Sequence, residues 1–312
     1  VSTATDTWQL ADIPDQAGRT IVVTGTTLGG LGHVTALELA RRGARVVLAG
    51  RTEAKVAATE AAIKQEVLAA DLVRMSVDLS SLASVREAAT HALGLGPIDV
   101  LVNNAGVMAP PARRTDEGLD LQLATNHYGP FLLTGLLLPQ LVASGAGRVV
   151  AVSSAMHRTA RRAPLGDPRD RRTRTSRWGG YGQSKLANLL FTAELDRRAR
   201  AAEIPVQALA AHPGFAGSHL AANGQLGRSS GGVASILDAA IKAVSQPVHV
   251  GAWPTLMAAT ADLPGGTFCG PSGLGEMAGA PQVVVPSALA RDDDAARRLW
   301  ELSQDVTGIR YP

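Results

Sequence analysis

A doubly wound, parallel α/β sheet of the Rossmann type is the fold class this sequence predicts. Three observations carry it. Short apolar runs recur from residue 20 to about residue 211, and each is continuous rather than alternating, as in strands covered on both faces. Longer stretches with helical periodicity separate them. A glycine-rich turn joins the first run to the first helical stretch.

The runs are Thr20–Thr24, Arg45–Ala49, Leu72–Val77, Ile98–Val102, Gly147–Ser153 and Pro205–Ala210. Helices are predicted near 31–42, 53–68, 81–93, 116–143 and 181–203. In the first, Ala36, Leu39 and Ala40 form an apolar stripe, and Gly43 supplies the left-handed cap that ends it. After residue 212 the pattern loosens into Gly- and Ser-rich loops. Helices follow near 233–245 and 251–260, then a turn-rich segment over 262–282 and a polar helix near 292–304. No Pro/Gly/Ser-rich linker divides the chain and no internal repeat appears, so 1–312 reads as one domain.

Composition excludes several function classes. The chain is 46% hydrophobic and 18% charged, close to an ordinary soluble α/β protein, and 312 residues are enough to bury a real core. A single cysteine, Cys269, rules out an internal disulfide and any cysteine-rich metal cluster; it reads as a small buried hydrophobe, and no metal is expected. No apolar run reaches the roughly 18 residues a membrane span needs. The polar first sixteen residues lack the basic and apolar regions of a signal peptide, so a cytoplasmic location is expected. A net charge of +3 and a pI near 9.3 raise nucleic acid as a partner. Much of the excess, however, sits in His157–Trp178, where eight arginines face only Asp167 and Asp170, with no run of aromatics for base stacking. That segment reads as a solvated flap or as an anion-attracting rim, and nucleic acid is not expected.

The chemistry-bearing residues fall at the carboxyl ends of the predicted strands. Thr24-Gly25-Thr26-Thr27-Leu28-Gly29-Gly30-Leu31-Gly32 follows the first strand; its glycines let the backbone turn tightly and approach a pyrophosphate at the helix N-terminus. The second strand ends at Ala49-Gly50-Arg51. A ribose 2′-hydroxyl calls for an acidic residue there, whereas the Arg51 guanidinium suits a 2′-phosphate, which favours NADP over NAD. Asp78-Leu79 follows the third strand beside the expected adenine site, although Asp78 is equally suited to cap the next helix. Asn103-Asn104-Ala105-Gly106 ends the fourth strand: its small residues leave room for a cofactor and its amides can tie strands together. Asn126 lies inside a buried helical pattern, where an amide needs an assigned partner.

Tyr181-Gly182-Gln183-Ser184-Lys185 is the strongest signal. The i to i+4 spacing puts phenol and ammonium on one helix face. A tyrosine with pKa ~10 is a poor base near neutrality. A cation about 4 Å away at an effective dielectric of ~20 contributes about 4 kcal/mol, or roughly three pKa units. Tyr181 is therefore the expected acid/base and Lys185 the group that tunes it. Ser153-Ser154, ending the fifth strand, are within reach to orient a substrate oxygen.

Taken in order, these motifs, with Val152-Ser153-Ser154 and His212-Pro213-Gly214, resemble the short-chain dehydrogenase/reductase family and, within it, the retinol-dehydrogenase-like branch, over about residues 15–285. The resemblance implies a dinucleotide-binding oxidoreductase that moves a hydride between NADP(H) and a small-molecule carbonyl or alcohol. It implies a catalytic set of Asn126, Ser154, Tyr181 and Lys185. Ser154 would orient the substrate, Asn126 would hold a water linking Lys185 to solvent, and Lys185 would also bind the nicotinamide ribose. The cofactor contacts it implies, together with those read from the residues, are Gly25, Thr27, Gly30, Leu31, Gly32, Arg51, Asp78, Leu79, Asn103, Asn104, Ala105, Tyr181, Lys185, Pro213, Gly214 and Ser218. Ser218 stands where the family usually has threonine. Gly265–Pro271 is similar to the branch's C-terminal substrate region, and the substrate-side loops are expected at about 155–180, 214–232 and 262–282.

Two features depart from the family. Four residues separate Gly25 from Gly30 where three are usual; the downstream spacing is unchanged, so the loop is expected to bulge by one residue. The stretch between Ser154 and Tyr181 is long and arginine-rich. A cofactor-binding or sensing protein with little turnover is the alternative reading. A light-driven tetrapyrrole reductase shares the fold and the tyrosine–lysine pair, but Cys269 alone does not supply the cysteines such a pocket uses. Neither the physiological substrate nor the oligomeric state is legible, and a homo-oligomer is compatible with the sequence.

Overall fold

Strands β1 (Thr20–Thr24), β2 (Arg45–Gly50), β3 (Leu72–Ser76), β4 (Val100–Asn103), β5 (Gly147–Val152) and β6 (Val206–Ala211) form the parallel body of the sheet in a computed structural model that describes residues 7–163, 166–170, 176–215 and 246–312. Two further strands, β7 (Phe268–Pro271) and β8 (Pro281–Val283), extend it to the order β3-β2-β1-β4-β5-β6-β7-β8. β7 is parallel to β6, and β8 returns antiparallel. Sequence reading leaves 262–282 as turns because these strands have only four and three residues and carry Gly270, Pro271 and Pro281. Pro271 is the last residue of β7 and Pro281 the first of the edge strand β8, positions where proline is tolerated.

The continuous apolar runs are explained by burial on both faces. Val22, Val47, Leu101 and Val149 point into one core, with Phe131, Phe191 and Trp300. Their neighbours Ile21, Val23, Val46, Leu48, Val100 and Val150 point into a second core on the opposite face, with Leu39, Ile63 and Leu256. The strand period of two divides each run between the two layers.

Helices α1 (Leu31–Arg41), α2 (Glu53–Glu66) and α3 (Leu82–Ala92) fall where the periodicity places them. The next begins later than residue 116. Asp120 caps it, its Oδ1 accepting from Gln122 N at 3.0 Å and Leu123 N at 3.1 Å. A single turn, α4 (Leu121–Leu123), then passes through a π-helical turn (Ala124–Tyr128) into α5 (Gly129–Ala143). The helix that carries Tyr181 begins earlier than expected: α6 spans Arg177–Ala201, with the Ser176 side chain accepting from Gly179 N. Tyr181 thus sits in its second turn. Helices α7 (Val248–Gly251), α8 (Trp253–Thr260) and α9 (Asp293–Thr307) complete the described elements, α9 ending at Gly308 with φ 69°. The helix expected near 233–245 and Ser218 lie outside the described residues. No helix among them is long and apolar enough to cross a membrane.

Candidate active site

A cleft of about 300 Å³ runs over the carboxyl ends of β1, β2 and β4, lined by Gly25, Thr27, Gly30, Leu31, Arg51, Asp78, Leu79, Asn104 and Ala105 among others. Its floor depends on two glycines. Gly25 has φ +74°, and a Cβ there would stand 2.7 Å from Ala105 Cα; one on Gly32 would stand 2.5 Å from Asn104 Nδ2 and from Gly25 O. Gly32 thus closes the packing beneath the turn rather than lining the cleft. Helix α1 starts at Leu31 with Gly30 as its cap, and Gly30 N donates to Thr27 O at 2.9 Å. Leu28, one of the four residues between Gly25 and Gly30, projects to solvent.

Asn104 ties β4 to the turn: its Nδ2 donates to Thr24 O at 2.7 Å and to Gly25 O at 3.2 Å. Asn103 does not join the cleft, which corrects its expected place among the cofactor contacts. It alternates onto the face of Leu101, where its Nδ2 donates to Thr134 Oγ1 of α5 at 3.1 Å. At the adenine end, Ser81 rather than Asp78 caps α3. One oxygen of Asp78 accepts from Ser80 N and Oγ, and the other lies 3.7 Å from Arg51 Nη1. Pro213 and Gly214 sit beyond β6, away from the cleft lining; Gln246 Nε2 donates to Pro213 O at 2.6 Å.

Asn126, Ser154, Tyr181 and Lys185 come together at the inner end of the cleft. The π turn presents Asn126, whose Oδ1 accepts from Val107 N and whose Nδ2 donates to Val107 O and Ser184 Oγ, all within 2.8–2.9 Å. Its partners are thus a cleft-lining residue and the helix that carries Tyr181. Ser184 Oγ in turn donates to Tyr181 O at 2.8 Å. The Ser154 side chain, which accepts from Met156 N at 3.2 Å, is the polar group that acts on the Tyr181 phenol. Lys185 Nζ donates to Val152 O at 2.9 Å, an oxygen that also accepts from Asn188 Nδ2 at 3.0 Å.

The electrostatics differ from the expectation. Lys185 Nζ lies 5.7 Å from the centre of the Tyr181 ring and is directed at Val152. Burial of the phenol pushes its pKa up to about 12, opposed by the Ser154 hydroxyl. Burial likewise pushes Lys185 down to about 8. Desolvation of the charged form therefore outweighs the pairing that the spacing suggested. Cys269 is buried in β7 with its thiol pushed up to about 12, as suits an inert packing residue.

Several site residues were not singled out in the sequence. Lys55, one turn after Arg51, lines the same end of the cleft, and its spacing from Arg51 was the available signal. Thr26 is buried in the glycine turn with its hydroxyl unpartnered. Among the described residues, Arg177 of the arginine-rich segment donates to the carbonyls of Ala109 and Pro110, and Arg114, outside that segment, donates to those of Gly118, Pro168 and Asp170. Both line a second cavity of about 500 Å³, on the side of α6 that bears Gln183 rather than Tyr181. Arg158 reaches Glu276 at 2.8 Å, outside that lining.

Comparison with known proteins gives the family. Residues 19–164 match the family model described as short chain dehydrogenase. The chain is 36% identical over 300 residues to retinol dehydrogenase 13 of Homo sapiens, covering 95% of this chain and 86% of that protein. It is 40% identical over 306 residues to dehydrogenase/reductase SDR family member 13 of Bos taurus, covering 94% and 74%. A crystal structure of an uncharacterized protein from Mycobacterium paratuberculosis superposes with a TM-score of 0.78 at 42% identity, covering 98% of this chain and 99% of that one. With a parallel sheet of this order, a glycine-floored cleft and a tyrosine–lysine pair at its inner end, the chain belongs to the short-chain dehydrogenase/reductase family, in its retinol-dehydrogenase-like branch.

Proposed function

We propose that the protein is an NADP(H)-dependent oxidoreductase that interconverts a carbonyl and an alcohol, with Tyr181 as the proton-transferring group. The observation that carries this reading is the pairing of Tyr181 and Lys185 on one helix face, Nζ 5.7 Å from the ring centre, with the Ser154 side chain acting on the phenol. The cleft fits a dinucleotide. Gly25 and Gly32 leave no room for side chains, so backbone can approach a pyrophosphate closely, and the buried Thr26 hydroxyl is an unused hydrogen-bonding group. Gly25, Thr27, Gly30 and Leu31 would hold the pyrophosphate, Asp78 and Leu79 the adenosine, and Arg51 with Lys55 the 2′-phosphate. Bound there, the cofactor supplies or accepts a hydride.

The chain's own residues handle the proton and the geometry. A phenol pushed up to about 12 stays protonated near neutrality, which suits donation to a carbonyl oxygen. The Ser154 hydroxyl holds that oxygen beside the phenol. Lys185 and Asn126 pack close against the loop after β4: a Cβ on Gly106 would stand 3.1 Å from Asn126 Oδ1 and 3.5 Å from Lys185 Nζ, a tight fit. The test is loss of NADPH absorbance with a carbonyl panel, retinaldehyde first because five similar proteins are named retinol dehydrogenases. A protein that binds NADPH yet oxidises it with no carbonyl supports the binding or sensing reading instead.

A further inference from the structure

We infer that His157 is a positioning residue: a neutral imidazole strut that fixes the Ser154 main chain against the segment after β8. The inference rests on the role given to Ser154 above. His157 is fully buried in the 3₁₀ turn Ala155–Thr159, which Ser154 itself caps. Its Nδ1 lies 2.7 Å from Ser154 O, and Ser287 N donates to its Nε2 at 3.1 Å. A backbone N–H can only donate, so Nε2 carries a lone pair. The one ring proton of a neutral imidazole is then on Nδ1, where it donates to Ser154 O. Both ring nitrogens are thus committed to main-chain atoms 133 residues apart, from Ser154 to Ser287. The ring's edge packs on Phe268 of β7, with centroids 5.6 Å apart at 83°, which fixes the ring plane as well.

The consequence is mechanical. Ser154 lies at the free end of β5 with φ −157° and ψ 152°, and its hydroxyl must meet Tyr181 from there. Strand pairing no longer holds it: the last paired residue of β5 is Val152. The strut replaces that missing anchor and runs to Ser287, beyond the short edge strand. Burial holds His157 below the usual histidine range, against the Ser154 carbonyl and Glu276 and in the same direction as Arg158; His212 also faces the ring.

Two substitutions separate the two ends. His157→Asn places an amide N–H where Nδ1 stands and keeps the bond to Ser154 while releasing Ser287. His157→Gln places an oxygen near Nε2, keeps Ser287 and removes the side-chain bond to Ser154 O, leaving that oxygen only the bond from His157 N at 3.0 Å. With Ser154 freer to shift, His157→Gln should lower kcat by ~10–100-fold, the scale of a displacement of about 1 Å in an active site. The basic limb of the kcat/KM profile should move upward, because the Ser154 side chain opposes the rise that burial imposes on Tyr181. His157→Asn should retain most of kcat even where both variants lose thermal stability. Should His157→Gln fail to fold, His157→Leu decides: an apolar side chain fills the buried site and makes neither bond, and kcat should fall in the same direction. A folded His157→Gln or His157→Leu protein with kcat within about twofold of wild type and an unmoved profile overturns the inference, since positioning effects of this kind exceed that. Full turnover in Tyr181→Phe would instead overturn the proposed chemistry. In that event ¹⁵N shifts of the His157 ring still judge the strut, and a proton on Nε2 rather than Nδ1 refutes it.

Discussion

Arg51 and Asp78 face each other across the carboxyl ends of β2 and β3, with Nη1 3.7 Å from Oδ2. The arginine is 70% exposed, so this pair contributes little to stability, on the order of 0–1 kcal/mol. Its importance lies in what it leaves available: a guanidinium fork held at the cleft rim, with Lys55 one helical turn away. Arg51→Ala should weaken NADPH binding by ~1.5–3 kcal/mol and leave NADH almost unchanged. Titration of both cofactors by fluorescence checks this. Equal losses for the two would remove Arg51 from the 2′-phosphate site. Adding Lys55→Ala should deepen the NADPH loss alone.

Tyr181→Phe retains the ring, and with it the edge-on contact to Trp178 at 6.5 Å, while removing the proton donor. Turnover with any active carbonyl should fall by ~10²–10⁴. NADPH affinity should stay within a few-fold of wild type, because the polar group acting on the phenol is Ser154 rather than the cleft lining. Steady-state rates and a binding isotherm on the same preparation separate the two effects.

The glycine turn gives opposite expectations for two neighbouring changes. Gly25→Ala forces a side chain into Ala105 at a residue with φ +74°, so it should abolish NADPH binding and lower the melting temperature. Deleting Leu28 removes an exposed side chain from the loop and leaves the Gly30 cap of α1 in place. NADPH affinity should be preserved or improved. A folded deletion variant that cannot bind NADPH would show that the longer loop is itself part of the phosphate site.

Acid stability follows from the buried histidines. Burial pushes His127 down to about 3 and His212 down to about 4 against an ordinary 6.5, and His157 is lowered as well. All three are held neutral in the folded state. Below pH 6.5 the unfolded chain binds protons that the folded chain refuses, so stability falls as pH drops from about 6.5 toward 4 and does not change through these groups above that window. Urea midpoints measured between pH 7 and 5 should decline. His127→Gln should flatten the decline while keeping a partner for Ser303 Oγ, which sits 2.8 Å from His127 Nε2. A midpoint that does not change over this range would show that these rings protonate within the fold.

Local chemistry in the sequence determined the parallel strands, the glycine turn and the tyrosine–lysine helix. Apolar runs such as Thr20–Thr24 report burial on both faces directly, and i to i+4 spacing fixes which side chains share a helix face. Tertiary structure decided what each side chain meets there. The alternation of β4 turned Asn103 toward Thr134 and away from the cleft, and only the sheet's placement against α5 shows which face that is. The short strands β7 and β8 were hidden because three or four residues rich in proline and glycine carry no period of their own; pairing of β7 with β6, and of β8 with β7, creates them. Lys185 shares a face with Tyr181 as its spacing requires, yet its ammonium is drawn to Val152 O, an acceptor supplied by a strand more than thirty residues earlier. The pKa values of both groups were beyond the sequence for the same reason. Desolvation is set by everything that packs around a charge, and that shell is assembled from distant segments only when the chain folds.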